Sequence, residues 1–315
     1  MPRPDVCVIG EINPDLILHG LPPELKPEQE TLVEGFRLTL GSSSAIFAHN
    51  ISALGTSTGL ISKVGSDALG RMALQWLSAG GVDVTRVSTA SNGTPTGITV
   101  VLAYPGHRFI LTYPGTMFEL AYADIDFDYL FSARHLHLSS YFLHRALRPR
   151  IADIFRQAKS KGLSTSLDTN DDPEDKWDAD LAAVLPFVDI FFPNEREAKK
   201  ITGTADLSSA LAKLSQLCRL VVAKLGAEGA VAREGSREWH AGSVPVQMVD
   251  AVGAGDSFDA GYIHKFLQGA DREECLAFAG ATGAFSITCA GGIEAFRDRA
   301  KLAEFLSLHR PSPKK

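Results

Sequence analysis

The sequence lacks any long hydrophobic run. A membrane-spanning helix needs roughly 20 consecutive apolar residues, and no stretch of this 315-residue chain approaches that length. The opening Met-Pro-Arg-Pro-Asp leads directly into a short apolar segment and contains no signal-peptide core. We therefore expect a soluble, cytoplasmic protein.

Cysteine and basic charge are also scarce. The four cysteines, Cys7, Cys218, Cys275 and Cys289, have no Cys-x-x-Cys or Cys/His spacing that could hold zinc, so we expect reduced core thiols. Lys and Arg number 31 against 37 Asp and Glu, and no run of like charge is longer than a pair such as Lys314-Lys315. Without a basic surface pattern, neither nucleic acid nor a membrane is an expected partner.

Short apolar runs alternate with amphipathic segments along most of the chain. A continuous apolar run such as Val6 to Ile9 is typical of a parallel strand that is covered on both faces. The alternation predicts an α/β fold, a doubly wound, mostly parallel sheet flanked by helices. The predicted core strands cover residues 6–9, 59–64, 135–138, 164–167, 189–192 and 220–225, with a β-rich stretch at 230–249. The predicted helices cover residues 42–54, 69–79, 149–161, 178–183, 195–202, 207–217, 256–268, 272–288 and 297–309.

Two segments depart from this alternation. Prolines break the chain after Leu21, and residues 31–40 then resemble an exposed strand. The strand candidates 96–104 and 108–113 flank a Pro-Gly-His turn, which is typical of a hairpin. We predict one domain over residues 1–310, with a small β-sheet lid formed by insertions at about 13–40 and 94–118, and a disordered tail at 311–315.

A glycine-rich loop at residues 250–261 is the most informative part of the sequence. Gly253 and Gly255 allow backbone N–H groups to converge at the start of a helix, which is a favourable site for phosphate oxygens. Asp256 at such an anion site suits a base that removes a proton from an attacking hydroxyl group, and the helix dipole should keep the pKa of Asp256 low. The alternative is a tight turn with Asp256 as an ordinary helix N-cap. The loop lacks the Gly-Lys-Ser/Thr ending of a Walker A motif.

This loop, Asp-Ala-Val-Gly-Ala-Gly-Asp-Ser-Phe at 250–258, resembles the C-terminal signature of the ribokinase-like (PfkB) carbohydrate kinases. Segments 8–15, 63–70 and 193–197 resemble further motifs of that family in the same order, so the resemblance covers about residues 5–300. It implies an ATP-dependent kinase of the ribokinase-like fold, with Asp256 as the catalytic base. The amides of Ala254, Gly255 and Asp256, which follow Gly253, would form the anion hole.

The resemblance also implies the nucleotide and metal residues. Asn194 and Glu197 would organise the Mg²⁺ of Mg-ATP, with Glu197 acting through water. By themselves they would be a capping pair on a surface helix. The strand and loop containing Lys224, Gly226 and Gly229 match the nucleotide-binding segment of the family, although their composition alone indicates only a β-turn. A K⁺ site would lie near Asp250 and use mostly backbone carbonyl groups.

Three residues match the sugar-binding positions of the family. Asn13 and Asp15 follow the first strand, where ligands of open α/β sheets bind, although they could also be turn residues. Gly41 matches the first of two glycines over the sugar. Asp168 and Asn170 end another predicted strand and are secondary candidates.

Several positions depart from the family pattern. Ser42 replaces the second glycine and Ile46 replaces a sugar-binding amide, with Asn50, one helical turn later, as a possible substitute. Ala251 lacks the usual hydroxyl group. Gly280 replaces a common asparagine near adenine, which leaves the base preference weakly specified.

These observations together predict a kinase that phosphorylates a primary hydroxyl group of a sugar or sugar acid. A nucleoside kinase and a catalytically silent sensor are the alternatives. The expected partners are a small sugar substrate and ATP, and the exposed lid strands predict a homodimer through the lid. The strand residues His135 and His137 are expected to be hydrogen-bonded core residues and not metal ligands.

Overall fold

The protein is described by a computed structural model that covers residues 3–104, 107–177 and 180–309. The strands are β1 Val6–Ile9, β2 Pro14–His19, β3 Gly35–Leu40, β4 Thr58–Val64, β5 Asp83–Thr89, β6 Ile98–Tyr104, β7 His107–Tyr113, β8 His135–Leu138, β9 Ser164–Leu167, β10 Ile190–Phe191, β11 Leu220–Lys224, β12 Ala230–Glu234 and β13 Arg237–Ala241. The α-helices are α1 Ser43–Ala53, α2 Ala68–Ala79, α3 Phe127–Ser132, α4 Ile151–Ser160, α5 Asp180–Val184, α6 Glu195–Thr202, α7 Leu207–Leu214, α8 Ala254–Leu267, α9 Arg272–Ser286 and α10 Arg299–Leu308. None of the helices in these ranges has both the length and the apolar character needed to cross a membrane.

The central sheet has nine strands in the order β13-β12-β11-β10-β9-β8-β1-β4-β5. Each neighbouring pair from β11 through β10, β9, β8, β1 and β4 to β5 is parallel. Strands β12 and β13 are added beyond β11 in antiparallel fashion. This arrangement confirms the predicted doubly wound, mostly parallel fold. The chain passes from β1 to β4 on one side and later returns to β8 on the other. In such folds ligands bind beside the carboxyl ends of the strands at this switch point.

The residues of β1 alternate between two apolar layers. Val6 and Val8 pack into the layer that contains α1, α8 and α9, whereas Cys7 and Ile9 pack into the opposite layer. All four side chains are fully buried, which explains the continuous apolar run in the sequence. Complete burial of one such aliphatic side chain stabilises the fold by about 1.5–3 kcal/mol.

A second, four-stranded sheet has the order β3-β2-β6-β7. Its strands lie within the segments 13–40 and 94–118 that we predicted as lid insertions. The strand β2 was missed because Pro14 and Asp15 do not favour a strand, but Pro14 is its first residue, where a missing N–H is tolerated. The function of this sheet as a lid stays a prediction.

Most predicted elements are confirmed within a few residues, and some were wrong. Strand β5 was missed, and the β-rich stretch 230–249 contains strands only as far as Ala241. Helix α8 begins at Ala254, two residues before the predicted start, and α7 ends at Leu214 instead of at residue 217. Positions 105–106 of the predicted hairpin turn, positions 178–179 of one predicted helix, and the predicted disordered tail lie outside the described residues.

Candidate active site

The glycine-rich loop delivers free backbone donors to the site. Gly253 is the N-cap of α8 and has a φ of 75°, a left-handed conformation that favours glycine. A side chain on Gly253 would also lie only 2.6 Å from the Cα atom of Gly292. The first N–H groups of a helix lack intrahelical acceptors, and Gly253 has no side chain that could cap them. Ala254 N has only a long contact with Ala251 O, at 3.4 Å.

The structure contradicts the alternative in which Asp256 is the N-cap. Asp256 is the third residue of α8, so its carboxylate is not needed to cap the helix. The side chain is buried, with an exposed fraction of 8% for the residue.

The expected low pKa of Asp256 was wrong. Burial raises the pKa of Asp256 to about 7, and the negative charge of Asp168 adds to the increase, whereas Lys224 and a hydrogen bond with Ser43 oppose it. The helix dipole favours the ionised form, but removal of the carboxylate from water among other acids outweighs it. A carboxylate with this pKa suits proton transfer near neutral pH.

Lys224 is paired with two further buried acids and also acts electrostatically on Asp256. Its Nζ atom lies 2.7 Å from Asp168 Oδ2 and 3.3 Å from Asp259 Oδ2. These carboxylates raise the pKa of Lys224 above its usual range despite burial, so the ammonium group is charged. A Cβ atom on Gly255 would lie 3.4 Å from Nζ, which places the ammonium beside the glycine-rich loop. The predicted cation is therefore next to the anion site but is already paired.

A cavity of about 440 Å³ opens beside the loop. It contains Lys224, Gly226 and Gly229 together with Ala254 and Gly255, so the predicted nucleotide residues share one cavity with the glycine-rich loop. Its remaining wall is mostly apolar and includes Val246, Met248, Phe258, Leu276 and Ile287.

Gly229 and Gly280 in this cavity differ in how strictly the structure requires a glycine. Gly229 has a φ of 95°, and any side chain there would overlap Ala241 O. Gly280 also faces the cavity, and a Cβ atom on it would meet only Gly242 O, at 3.8 Å. There is consequently room at position 280 for the asparagine of other family members.

Asn194 and Glu197 form the capping box of α6. Asn194 Oδ1 accepts a hydrogen bond from Glu197 N at 2.9 Å, and Glu197 Oε2 accepts one from Asn194 N at 2.9 Å. The capping alternative is thus confirmed. Burial raises the pKa of Glu197 to about 7, and the negative charge of Asp168 contributes, which shows that this acid belongs to the same electrostatic cluster.

The cluster suits a hard divalent cation. Asp168, Glu197 and Asp256 are three buried carboxylates, and Lys224 is the cation between them, so a further positive charge would stabilise the ionised forms. Across the described residues, no three His, Cys, Asp or Glu side chains converge as a direct metal site. A hydrated ion that is shared with phosphate oxygens fits these residues better than a direct protein cage.

Asp250 ties two loops together. Its Oδ1 accepts a hydrogen bond from Val252 N at 3.1 Å, and its Oδ2 accepts one from Gly291 N at 3.0 Å. The carboxylate therefore holds the glycine-rich loop against the chain at 291–292. A K⁺ site near Asp250 stays a prediction.

The three predicted sugar-binding residues converge beside the lid sheet. Asn13 Nδ2 donates hydrogen bonds to Asp15 Oδ1 at 3.2 Å and to Thr99 Oγ1 at 3.1 Å, and a side chain on Gly41 would overlap the Asp15 carboxylate. Burial raises the pKa of Asp15 to about 7, and the charge of Asp256 contributes, whereas Asn13 and Arg108 of β7 lower it. The carboxylates of Asp15 and Asp256 are therefore within electrostatic reach of each other.

The structure shows the surroundings of the residues that depart from the family pattern. Ser42 has a φ of 59°, the conformation that favours the glycine found in other family members. Ile46 is buried and packs against Gly253 and Gly292. The suggestion that Asn50 replaces the missing amide was wrong, because its Nδ2 atom donates to Ser257 Oγ and Gly292 O, both at 2.9 Å, inside the core.

The strand histidines are hydrogen-bonded core residues, as predicted. His135 bonds Ser164 and Ser166, and His137 bonds Ser166 and Ser139, at distances of 2.7–2.8 Å. Burial lowers the pKa of His135 to about 3, so the ring is neutral. Cys7, Cys218 and Cys275 are free thiols in the core, as predicted, whereas the free thiol Cys289 is only half-buried.

Two site residues were missed by the sequence analysis. Glu11 is buried just beyond β1 and its Oε2 atom lies 3.3 Å from His144 Nε2, and Ser43 at the start of α1 accepts a hydrogen bond from Asn170 and lowers the pKa of Asp256. Glu11 has the same signal that selected Asp15, an acid beyond a buried strand. Ser43 is the middle of three consecutive serines at a helix start, where hydroxyl groups are frequent for capping alone, so its sequence signal is weak.

Comparison with known proteins agrees with this arrangement. The chain matches the pfkB family carbohydrate kinase over residues 3–299. It is 30% identical over 293 residues to the 2-dehydro-3-deoxygluconokinase of Bacillus subtilis, across 88% of this chain and 90% of that relative. The ribokinase of Arabidopsis thaliana, solved with ribose and ATP, matches with a TM-score of 0.83 and 25% identity, over 97% of this chain and 99% of that one. A ribokinase II candidate from Escherichia coli, solved with ATP and Mg²⁺, matches with the same TM-score and identity over 97% and 100% of the two chains. The chain therefore belongs to the pfkB family of carbohydrate kinases.

Proposed function

We propose that the protein transfers the γ-phosphoryl group of ATP to a primary hydroxyl group of a sugar or sugar acid, with Asp256 as the general base. One observation carries this proposal. Ala254 and Gly255 at the uncapped start of α8 line the 440 Å³ cavity, and the next residue, Asp256, is close enough to Asp15 to raise the pKa of that carboxyl. A base and an anion site between two ligand pockets are what direct phosphoryl transfer requires.

The residues of the site divide the chemistry between them. Asp256 accepts the proton as the acceptor oxygen forms its bond to the γ-phosphorus and the bond from that phosphorus to the ADP oxygen breaks. The amides of Gly255 and Asp256, together with that of Ala254, stabilise the negative charge on the transferring group. Lys224 holds Asp168 and Asp259 in place beside these amides and adds a positive charge.

The cation would be held at the same edge of the sheet. Mg²⁺, when bound, neutralises phosphate charge and orients the γ-phosphoryl group. Glu197 and Asn194 would hold it through water, and the raised pKa of Glu197 is the property expected of an acid that is completed by a cation. Backbone carbonyl groups near Asp250 would hold K⁺.

The charges near Asp15 support a proposal for the class of acceptor. The positive charge of Arg108 in β7 acts on Asp15, and a cation that reaches Asp15 suits an acceptor that carries a carboxylate. The name of the B. subtilis relative specifies a deoxygluconate acceptor. A nucleoside acceptor is the rival, because apolar Ile46 replaces a polar amide beside the glycine-rich loop.

The test is ADP formation from Mg-ATP with a panel of sugars, sugar acids and nucleosides. We expect ADP release that depends on a sugar or a sugar acid, with the phosphate on a primary hydroxyl group of the product. Turnover restricted to nucleosides would favour the rival acceptor. Binding of ATP and sugar without any turnover would contradict the kinase proposal in favour of a silent sensor.

We also propose a homodimer that forms through the lid sheet. The edge strands β3 and β7 expose apolar side chains, among them Phe36, Phe109 and Leu111, each more than half exposed. Pairing of two such edges would cover them. Closure of this sheet over the acceptor would exclude water from the phosphoryl group.

A further inference from the structure

The peptide unit between Gly253 and Ala254 is held through its carbonyl group. Gly253 O accepts hydrogen bonds from Ser257 N at 2.9 Å and from Ser257 Oγ at 2.7 Å. A trans peptide unit is planar, with its C=O and N–H groups pointing in opposite directions, and the described residues contain no cis peptide bond. The two hydrogen bonds to Gly253 O therefore also fix the direction of Ala254 N–H, which points out of the start of α8 towards the predicted anion site.

Ser257 is in turn held by Asn50, a residue of α1 that is distant in the sequence. Both side chains are fully buried. Asn50 Nδ2 donates to Ser257 Oγ and to Gly292 O, both at 2.9 Å. Asn50 Oδ1 lies 2.8 Å from His49 Nδ1. Both protons and the oxygen of the Asn50 amide are thus engaged in hydrogen bonds.

The chemistry of the groups fixes the direction of each hydrogen bond. Gly292 O can only accept, so the amide nitrogen of Asn50, and not its oxygen, must face it. Ser257 Oγ accepts the second amide proton, and its single hydroxyl proton is left for Gly253 O. Burial lowers the pKa of His49 to about 4, so its ring is neutral and carries its proton on Nδ1, which donates to Asn50 Oδ1. The chain of donors therefore runs one way, from His49 to Gly253 O.

Asn50 also lies where the glycine-rich loop meets another backbone segment. A Cβ atom on Gly253 would lie 2.6 Å from Gly292 Cα, so the two backbones are in direct contact. Ile46, one turn before Asn50 on α1, packs against both glycines but has no polar side-chain atom. Asn50 therefore supplies a polar link from α1 to both Ser257 of α8 and Gly292.

We propose that Asn50 is a positioning residue for the predicted anion hole. It keeps the Ser257 hydroxyl group directed at Gly253 O, and thereby keeps Ala254 N–H directed at the transferring phosphoryl group. The inference rests on the proposed phosphoryl transfer. Since such an amide acts mainly on charge that develops in the transition state, its displacement should lower kcat and leave substrate binding nearly unchanged.

The experiment measures kcat and the KM of both substrates for Asn50→Ala, Ser257→Ala and the double variant, with an acceptor that the wild type turns over. Each single substitution should lower kcat about tenfold, less than the hundredfold or more that follows removal of a whole oxyanion donor. The KM values should stay within about twofold of the wild type, because neither side chain contacts a ligand. The double variant should lose no more than the weaker single variant, since both residues act through the same peptide unit.

A matched control is available on the same helix. Ser52 of α1 is also buried and donates to a distant carbonyl group, Gly80 O at 3.0 Å, but it is not part of this chain of donors. Ser52→Ala should keep the wild-type kcat. All rates are measured below the unfolding temperature of every variant, so that loss of folded protein does not contribute.

A second substitution at position 50 keeps the test independent of a cavity. Asn50→Asp retains the size of the side chain but cannot donate to Gly292 O. It should lower kcat at least as much as Asn50→Ala does, and it takes the place of that variant in the comparison if Asn50→Ala does not fold.

The outcomes separate the two levels of the account. A wild-type kcat in the position-50 variant or in Ser257→Ala overturns the inference, and so does a loss that appears only in a KM. Single losses that multiply in the double variant would show independent effects and would also overturn it. A wild type without acceptor-dependent ADP formation would instead overturn the proposed function, and the role of Asn50 with it.

Discussion

At the scale of single residues, function and stability make opposite demands on Asp256. Its position near a helix start should favour the ionised form, but burial among Asp168, Glu11 and other acids raises its pKa to about 7. The folded protein therefore binds a proton at this residue more tightly than the unfolded chain does. The resulting cost to stability is absent below pH 4 and complete above pH 7.

Replacement of the carboxylate should consequently stabilise the fold. We expect Asp256→Asn to raise the free energy of unfolding above pH 7, by up to about 1.4 kcal/mol for each pH unit between the two pKa values. The difference should shrink as pH falls towards 4. Urea unfolding of wild type and variant at pH 4.5 and pH 8 measures it, and an equal effect at both pH values would contradict the pKa assigned to Asp256.

A substitution at Gly41 tests whether this residue faces the acceptor. A methyl group at this position would overlap the Asp15 carboxylate and displace it from Asn13. We expect Gly41→Ala to raise the KM of the acceptor about tenfold or more, equivalent to the loss of one hydrogen bond to a charged group. The KM of ATP is the internal control, and an effect on ATP alone would show that Gly41 does not face the acceptor.

At the scale of elements, the close contact of α8 and α9 positions Asp256. Gly261 of α8 faces Thr282 of α9 so closely that a side chain at 261 would overlap the Thr282 hydroxyl, which itself bonds Ala279 O at 2.9 Å. The helix that begins with the predicted anion site is thereby held against a second buried helix.

A substitution pair tests this contact. Gly261→Ala should destabilise the protein by about 1–3 kcal/mol, because overpacking forces the two helices apart. Adding Thr282→Ala should recover part of that loss, since the methyl group then occupies the vacated space. Thermal or urea unfolding of the single and double variants gives the coupling, and strictly additive losses would contradict the contact.

The elements also show what could be predicted from the sequence. Strand β1 and helix α6 were predicted with their observed bounds, because a continuous apolar run and a capping pair are local signals. Strands β2 and β5 were missed, since β2 starts at a proline and β5 has no fully buried residue, so both depend on pairing with distant strands.

In the site, too, features with a local sequence signal were predicted and features that depend on distant segments were missed. The glycine-rich loop was found because its residue types are locally required. The hydrogen bonds of Glu11, Ser43 and Asn50 depend on segments far apart in sequence. The raised pKa of Asp256 depends on acids at the ends of other strands, which no local pattern reveals.

At the scale of the whole molecule, the exposed apolar edge strands β3 and β7 of the lid sheet predict a dimer. We expect a mass in light scattering of twice the 33.8 kDa of one chain. Phe109→Glu with Leu111→Glu should give monomers, because charges would be buried at the paired edge. Leu308→Glu, on exposed α10, replaces a residue of similar exposure outside the lid and should leave the dimer intact. A monomeric wild type would contradict the proposed interface.

The central claim is that Asp256 removes the proton from the acceptor hydroxyl group. The most direct measurement is kcat of Asp256→Asn and wild type with the acceptor found in the panel, together with the Kd of ATP for both. The account predicts that kcat falls by about a hundredfold or more, the scale of general-base catalysis, while the Kd of ATP changes little. A variant that keeps the wild-type kcat would contradict the account.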